Sequence, residues 1–389
     1  MFDDAVAVTA FGAVTALGAG VEALWQGLLE GRQPFSKVRA FGVNGCRAEL
    51  AGEVTAHVPL VASDRSVGLA VMAANEALRA APLQVASPRV GLIVGSAGAG
   101  TAVLEQHLLD EATAPAEFWR RYQKRWLADS IAQALFIGGP RTVVNTACSS
   151  SAVAIALGVE WLRAGDCDAV LALGTDELGR FTYTGFHALR AMDPVPCKPF
   201  DRNRAGLTMG EGAGCLVLQR ARDAKRSGAH VRGWVCGVGL ACDAHHLTAP
   251  DPEGRGAARA LGLALAAAKL EPAQVGFVNA HGTGTQLNDA AEVASLERAL
   301  GARVVDCPVH SIKATTGHCM GAAGAIEAIV TLRSLETGFV PPTAGLMDCE
   351  FDGRIHCVKD RPMSVTATHA VSTNFGFGGN DAALVFSHA

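Results

Sequence analysis

The chain has 389 residues, 49% hydrophobic and 18% charged, with a net charge of −4. That length can bury a large core, as one big unit or two medium ones. The charge balance excludes a general affinity for nucleic acid or an anionic membrane, and the lack of an apolar run of 18 residues gives no predicted membrane span.

The first residues, "MFDD", are acidic where a signal peptide would be basic, so a cytoplasmic protein is expected. Eleven cysteines form an odd set without C-x-x-C pairs or Cys/His ligand spacing. They read as reduced, mostly buried small hydrophobes, and no metal site is expected.

Apolar strand-like segments then alternate with helical ones along the chain. "RVGLIVGS", "RTVVNTA", "DAVLALGTDE" and "GCLVLQ" are predicted strands of the first half. "VRGWVCGVGL", "VGFVNAHG", "PVHSIKA", "THAVSTNFG" and "DAALVFS" are those of the second. Helices are predicted over 151–164, 256–270, 289–300 and 321–335, all rich in Ala and Leu. Near-continuous apolar strands imply sheets covered on both faces, an α/β class. The basic stretch "QRARDAKRSGAH" is the best internal boundary, dividing residues 1–225 from 226–389. Each half ends in a glycine-rich turn and strand, "GEGAGCLVLQR" and "GFGGNDAALVFS", which hints at duplication.

Within "VNTACSSSAVAIALG", Cys148 stands where a β-branched run gives way to a helical pattern. A helix N-terminus presents unpaired N–H groups and about half a positive charge. A thiol there is expected to have a lowered pKa, and the same amides can hold an oxyanion. Two loops supply acid/base candidates. "VNAHGTGTQLNDAAE" places His281 at a strand end, and "HSIKATTGHCMGAAGAIEA" places Lys313 and His318 around a short loop. Two histidines on glycine-rich loops, added to a strand-to-helix cysteine, are hard to explain by packing alone.

On these segments the chain resembles the β-ketoacyl-acyl carrier protein synthases, the elongating condensing enzymes. "VTAFGAVTALG", "CKPFDRNRAGLTMGEGAGCLVLQ" and "NFGFGGNDAALVF" extend the resemblance over nearly the whole length. It implies a thiolase-like fold: duplicated βαβαβαββ halves in a layered αβαβα arrangement. It implies that Cys148 is acylated by an acyl carrier protein thioester, and that His281 and His318 serve malonyl decarboxylation. Lys313 would support the histidines with Glu292 as its acidic counterpart, and the N–H groups of Cys148 and Phe377 would form the oxyanion hole. Phe377 would also gate acyl entry, together with a mobile loop carrying Asp243 and His246. Thr283 and Thr285 would touch the phosphopantetheine arm, and no cofactor beyond that carried arm is implied. The partner would be the acyl carrier protein, with the enzyme a homodimer or a heterodimer with a second synthase-like subunit.

An acidic carrier would need a local basic patch on this acidic chain. "FWRRYQKRW" concentrates Arg120, Arg121, Lys124 and Arg125, and Arg65 and Arg204 sit near the family's docking positions. In "GSAGAG", Gly98 falls where the family often carries a bulky aliphatic at the neck of the acyl tunnel. A glycine would widen that neck unless a neighbour such as Phe118 refills it. Gln286 and the pair Asn380-Asp381 replace a proline and the usual "TN". "GSAGAG" has the wrong order for a dinucleotide loop, so an oxidoreductase is not expected. The late Cys349 and Cys357 lie outside the closing "GFGG" turn, which weakens a thiolase reading. Retention of Cys148, both histidines and Lys313 favours a catalytic subunit over a chain-length partner.

Overall fold

The computed structural model describes residues 5–62, 64–110 and 116–389, with the side chains of 108–110 and 117 left out. The acidic "MFDD" lies outside the described residues.

Two sets of strands carry the architecture. β1 (Val6–Thr15), β2 (Val90–Gly95), β3 (Arg141–Val144), β4 (Ala169–Asp176) and β5 (Gly212–Arg220) pair in the order β3-β2-β4-β5-β1. β6 (Gly233–Cys242), β7 (Val275–Asn279), β8 (Pro308–His310), β9 (His369–Gly376) and β10 (Asn380–Ser387) repeat that order as β8-β7-β9-β10-β6. Parallel and antiparallel pairings repeat as well. The sets join where β1 meets β6 antiparallel, from Val6↔Val235 to Val8↔Gly233, within one 12-stranded sheet. β5 and β10, the strands of the two glycine-rich blocks, occupy equivalent places, so the hint of duplication is realised in the topology.

Six helices position the rest: α1 (Arg65–Ala80), α2 (Lys124–Leu135), α3 (Ser150–Ala164), α4 (Arg255–Ala268), α5 (Gln286–Leu300) and α6 (Ala323–Thr337). α1 packs on β1, β4 and β5, and α4 on β6 and β10. α3 and α6 lie between the two strand sets, touching each other and strands of both. The result is the expected αβαβα layering. Every residue of β1, β4 and β5 is buried, as sheets covered on both faces require. No helix among the described residues is long and apolar enough to cross a membrane.

Glycines decide how closely the inner helices approach. A Cβ on Gly174 of β4 would stand 2.6 Å from the Ser151 Cβ, and one on Gly95 of β2 only 2.4 Å from the Ser151 nitrogen. The N-terminus of α3 therefore seats directly on the strands. On α6, a Cβ at Gly324 would come 2.7 Å from the Ala152 nitrogen. Bare backbone at these points brings the start of α3 against the start of α6. That contact gathers chemistry from both halves.

Candidate active site

Cys148 occupies a 3₁₀ turn, Ala147–Ser149, between β3 and α3. Ala147 holds φ = 52°, a left-handed conformation that costs a non-glycine residue about 1 kcal/mol and turns the chain sharply before the thiol. Cys148 is only 4% exposed. His318 Nε2 stands 3.0 Å from its Sγ. The His281 ring lies 5.3 Å from the His318 ring, edge to face. Burial is the main reason both imidazoles are held well below their ordinary pKa, and the Lys313 charge adds to it. Both are therefore neutral.

The expected lowering of the thiol's pKa is not what the structure gives. Burial pushes Cys148 up to about 12, with Asp176 and Glu327 adding to the rise, while Lys313 and the Phe377 amide oppose it. Desolvation outweighs the helix end, so the thiol rests protonated beside His318.

Lys313 follows the β8 strand and is almost fully buried. Its ammonium donates to the His281 carbonyl and to Glu327 Oε1, and sits 3.3 Å from His281 Nδ1. The expected counterpart, Glu292, is not its partner. Glu292 instead accepts the amides of His281 at 2.8 Å and Gly282 at 2.7 Å and the Thr373 hydroxyl at 2.8 Å. It braces the histidine's backbone from the side away from the lysine. Glu327, in the buried and otherwise apolar first half of α6, is the acid that meets Lys313, and Asn374 Nδ2 donates to its other oxygen. Burial raises the Glu327 carboxyl, and Lys313 and Asn374 oppose that rise. A lone glutamate in "GAIEAIV", on a helix buried all round, was the available signal for it.

A cavity of about 510 Å³ opens onto this centre, lined by Cys148, both histidines, Thr283, Thr285, Gln286 and residues 375–379. Thr283 and Thr285 face each other with hydroxyls 2.9 Å apart, and Thr285 caps α5. Phe377, 36% exposed, sits in the turn between β9 and β10 with its ring 5.3 Å from Phe186. Its amide is close enough to the Cys148 sulfur to lower that thiol's pKa. Asp243 N donates to Gly379 O at 3.0 Å, and Gly378 N to Leu247 O at 2.8 Å, so the 243–251 loop is tied to that turn. His246 Nδ1 accepts the amides of Thr248 and Ala249, which closes the loop on itself.

Several expected positions fall elsewhere. Gly98 does not line the cavity; its amide donates to Asp176 Oδ1 at 2.8 Å, and a Cβ there would stand 3.2 Å from the same oxygen. Asp176 is a buried carboxylate that also accepts from Ser96, Ala97 and Gly321, so Gly98 belongs to a bonded turn rather than a tunnel neck. Phe118 packs with His107, Trp119 and Tyr122, away from the cavity. Arg204 is 4% exposed and cannot meet a partner protein. It bonds Glu350 and the carbonyls of Thr285 and Gln286, fixing the loop before α5. Arg65 commits its guanidinium to Glu211, at 2.9 and 2.6 Å, and to Val54 O. Arg120, Arg121 and Arg125 line a separate recess beside Trp126, and Lys124 Nζ donates to Ala99 O. The cations that do line the catalytic cavity are Arg47 and Arg190, both exposed and in no ion pair among the described residues. Composition alone did not single them out.

Residues 3–224 match the beta-ketoacyl synthase N-terminal domain and residues 232–347 its C-terminal domain. The chain is 33% identical to 3-oxoacyl-[acyl-carrier-protein] synthase 2 of Synechocystis sp. over 98% of its own length and 97% of the relative's. Among solved structures, the ishigamide ketosynthase/chain length factor superposes with a TM-score of 0.91 at 32% identity, covering 99% of both chains. A ketosynthase bound to its type II PKS acyl-carrier protein and a hexaketide superposes with a TM-score of 0.92 at 26% identity, again over 99% of both chains. With the thiol and two neutral imidazoles gathered in one cavity and a buried lysine behind them, these likenesses lead to one conclusion: the chain belongs to the β-ketoacyl synthase family.

Proposed function

We infer that the protein catalyses decarboxylative Claisen condensation of an acyl group with a malonyl group, both presented on acyl carrier protein. The observation that carries this is the 3.0 Å contact of His318 Nε2 with the Cys148 sulfur, beside a second neutral histidine.

Acylation begins with a protonated thiol. His318 takes the S–H proton as sulfur attacks the thioester carbonyl, and the Phe377 amide beside the sulfur is available to bond the developing oxyanion. The carrier's thiol leaves with a proton returned from His318. Malonyl decarboxylation then develops negative charge on that thioester's oxygen. A neutral imidazole N–H aimed at it, which His281 can supply, lowers the barrier without the cost of an extra buried charge. Carbon dioxide leaves, the carbanion attacks the acyl-Cys148 carbonyl, and the C–S bond breaks to give a thiolate that takes up a proton from solvent. Thr283 and Thr285, on the cavity wall, suit the polar groups of the pantetheine arm. No resident cofactor is required by this scheme. The related ketosynthases paired with carrier protein or chain length factor support a carrier-dependent enzyme that works as a homodimer or beside a second synthase-like subunit.

A purely structural subunit would have no use for a cysteine and histidine in contact. Incubation with acyl carrier protein thioester should add one acyl mass to Cys148, and malonyl carrier protein should then release a β-ketoacyl product. Absence of the adduct on a folded protein would overturn the reading.

A further inference from the structure

Two carboxylates meet behind the turn that carries Phe377. Asp243 Oδ1 and Asp381 Oδ2 are both buried, and neither receives a hydrogen bond from a described donor. They converge on Gly256 at the start of α4. A Cβ added there would lie 2.3 Å from the Asp243 oxygen and 2.6 Å from the Asp381 oxygen. Only a glycine leaves room for both. Two carboxylates in contact cannot both be ionised without severe repulsion, and a hydrogen bond between them requires a proton.

We propose that Asp243 and Asp381 hold one proton between them and that this proton positions the Phe377 turn over Cys148. The inference rests on Phe377 acting as the gate. Asp381 is fixed by its strand, opposite Ala241 on β6 and Phe375 on β9. Asp243 belongs to the loop, bonds Gly379 through its own amide, and accepts the Asp251 amide on Oδ2 at 2.9 Å. The shared proton therefore clasps loop to strand on either side of residues 376–379. Its loss to solvent leaves two like charges in contact. The strand cannot move, so the loop gives way and the turn is released.

Among the described residues the surroundings offer no substitute cation. Asp251 is a further carboxylate, and the Arg255 guanidinium of α4 is held on it at 2.7 Å. Glu253 is bound by Arg298, and Arg259 lies on α4 beyond Arg255. His246 accepts two amides of its own loop beside exposed His245, and Cys242 Sγ points to Gly378 O. Burial first, then the Asp243 charge and the mutual hydrogen bond, push the Asp381 carboxyl up to about 8. The clasp is thus closed at neutral pH and opens above it. Asp381 is a positioning residue, acting through the turn and not on the substrate.

The test is the rate at which iodoacetamide alkylates Cys148 in the intact enzyme between pH 7 and pH 9. Thiolate ionisation affects wild type and Asp381→Asn alike, so the ratio of their rates isolates the clasp. The carboxamide that Asp381→Asn introduces can donate to Asp243 at every pH. The deprotonated fraction of a group with a midpoint near 8 grows about tenfold over this range, and the wild-type-to-variant ratio should climb with it. Asp243→Asn, which supplies the donor from the loop side, should flatten the profile equally. A ratio constant within about twofold for both folded variants overturns the proposal. Alkylation needs no carrier protein, so this outcome is separate from a failure of the condensing reaction.

Discussion

Lys313 Nζ stands 3.3 Å from His281 Nδ1, and this fixes which nitrogen of the imidazole carries its proton. An ammonium has donors and no acceptor, so a neutral His281 must accept on Nδ1 and bear hydrogen on Nε2. The tautomer needed for donating to a developing oxyanion is thereby set. Glu327 holds Lys313 in place.

Separating stability from catalysis at this pair is the first expectation. Lys313→Met strands a buried carboxylate and should cost about 3–5 kcal/mol in thermal or denaturant unfolding. Lys313→Met/Glu327→Met should recover most of that loss, because an apolar pair of similar volume replaces two buried charges. Condensation should stay low in both, since His281 has lost its fixed tautomer. Recovery of rate along with stability would show that the lysine matters only for folding.

The histidines should fail differently. His318 takes the proton of a thiol pushed up to about 12, so His318→Ala should slow acylation of Cys148 by roughly 10²–10⁴-fold. His281→Ala should leave acylation nearly intact and suppress condensation. Cys148→Ala should show no acyl adduct at all. Intact-mass time courses with acyl and then malonyl carrier protein separate the steps, and equal acylation defects in both histidine variants would refute the division.

Acid sensitivity follows from three buried histidines. His281 and His318 are held well below the ordinary range, and burial lowers His310 to about 3. Their folded pKa values lie below the unfolded value near 6.5, so the stability they confer is present above that pH. It declines as pH falls, because only the unfolded chain takes up protons. Each contributes about 1.4 kcal/mol per pH unit below the imidazole range. Among the described residues His310 has no polar partner on either nitrogen, so His310→Leu should soften the slope by one such share without orphaning a neighbour. Denaturant melts from pH 7 to pH 5 measure it.

Carrier docking should depend on the cavity rim more than on the interior arginines. Arg47→Glu/Arg190→Glu should raise KM for carrier-bound substrate and flatten its salt dependence, with kcat changed little. Arg204→Ala should instead destabilise the fold, since it leaves Asp289 and Glu350 without their cation. A KM unmoved by the rim reversal would direct attention to the recess of Arg120 and Arg121.

The fold was legible where period and composition were strong. The predicted core strands appear, and the helix predicted from 289 begins at Gln286 because Thr285 supplies the cap. α1 and α2 escaped notice: their faces are apolar and buried, but they carry no motif that draws the eye. The nucleophile and the histidines were legible because loop and strand-end placement is written locally. Glu327 was not, since its partner Lys313 reaches it across the fold of a glycine-rich turn. Nor was the burial of Arg204, which depends on Glu350, 146 residues away. Charge on a sequence does not say whether a side chain meets solvent or another charge.

The covered, protonated state of Cys148 has a bearing on oxidative damage. Peroxides attack thiolates that they can reach, and the first product, a sulfenic acid, leads on to irreversible oxides. A sulfur that ionises only near pH 12 and is 4% exposed offers no charge and little access. The enzyme at rest therefore keeps its sulfur reduced without a protecting partner thiol. Reactivity appears only when the arriving thioester and His318 together draw the proton away.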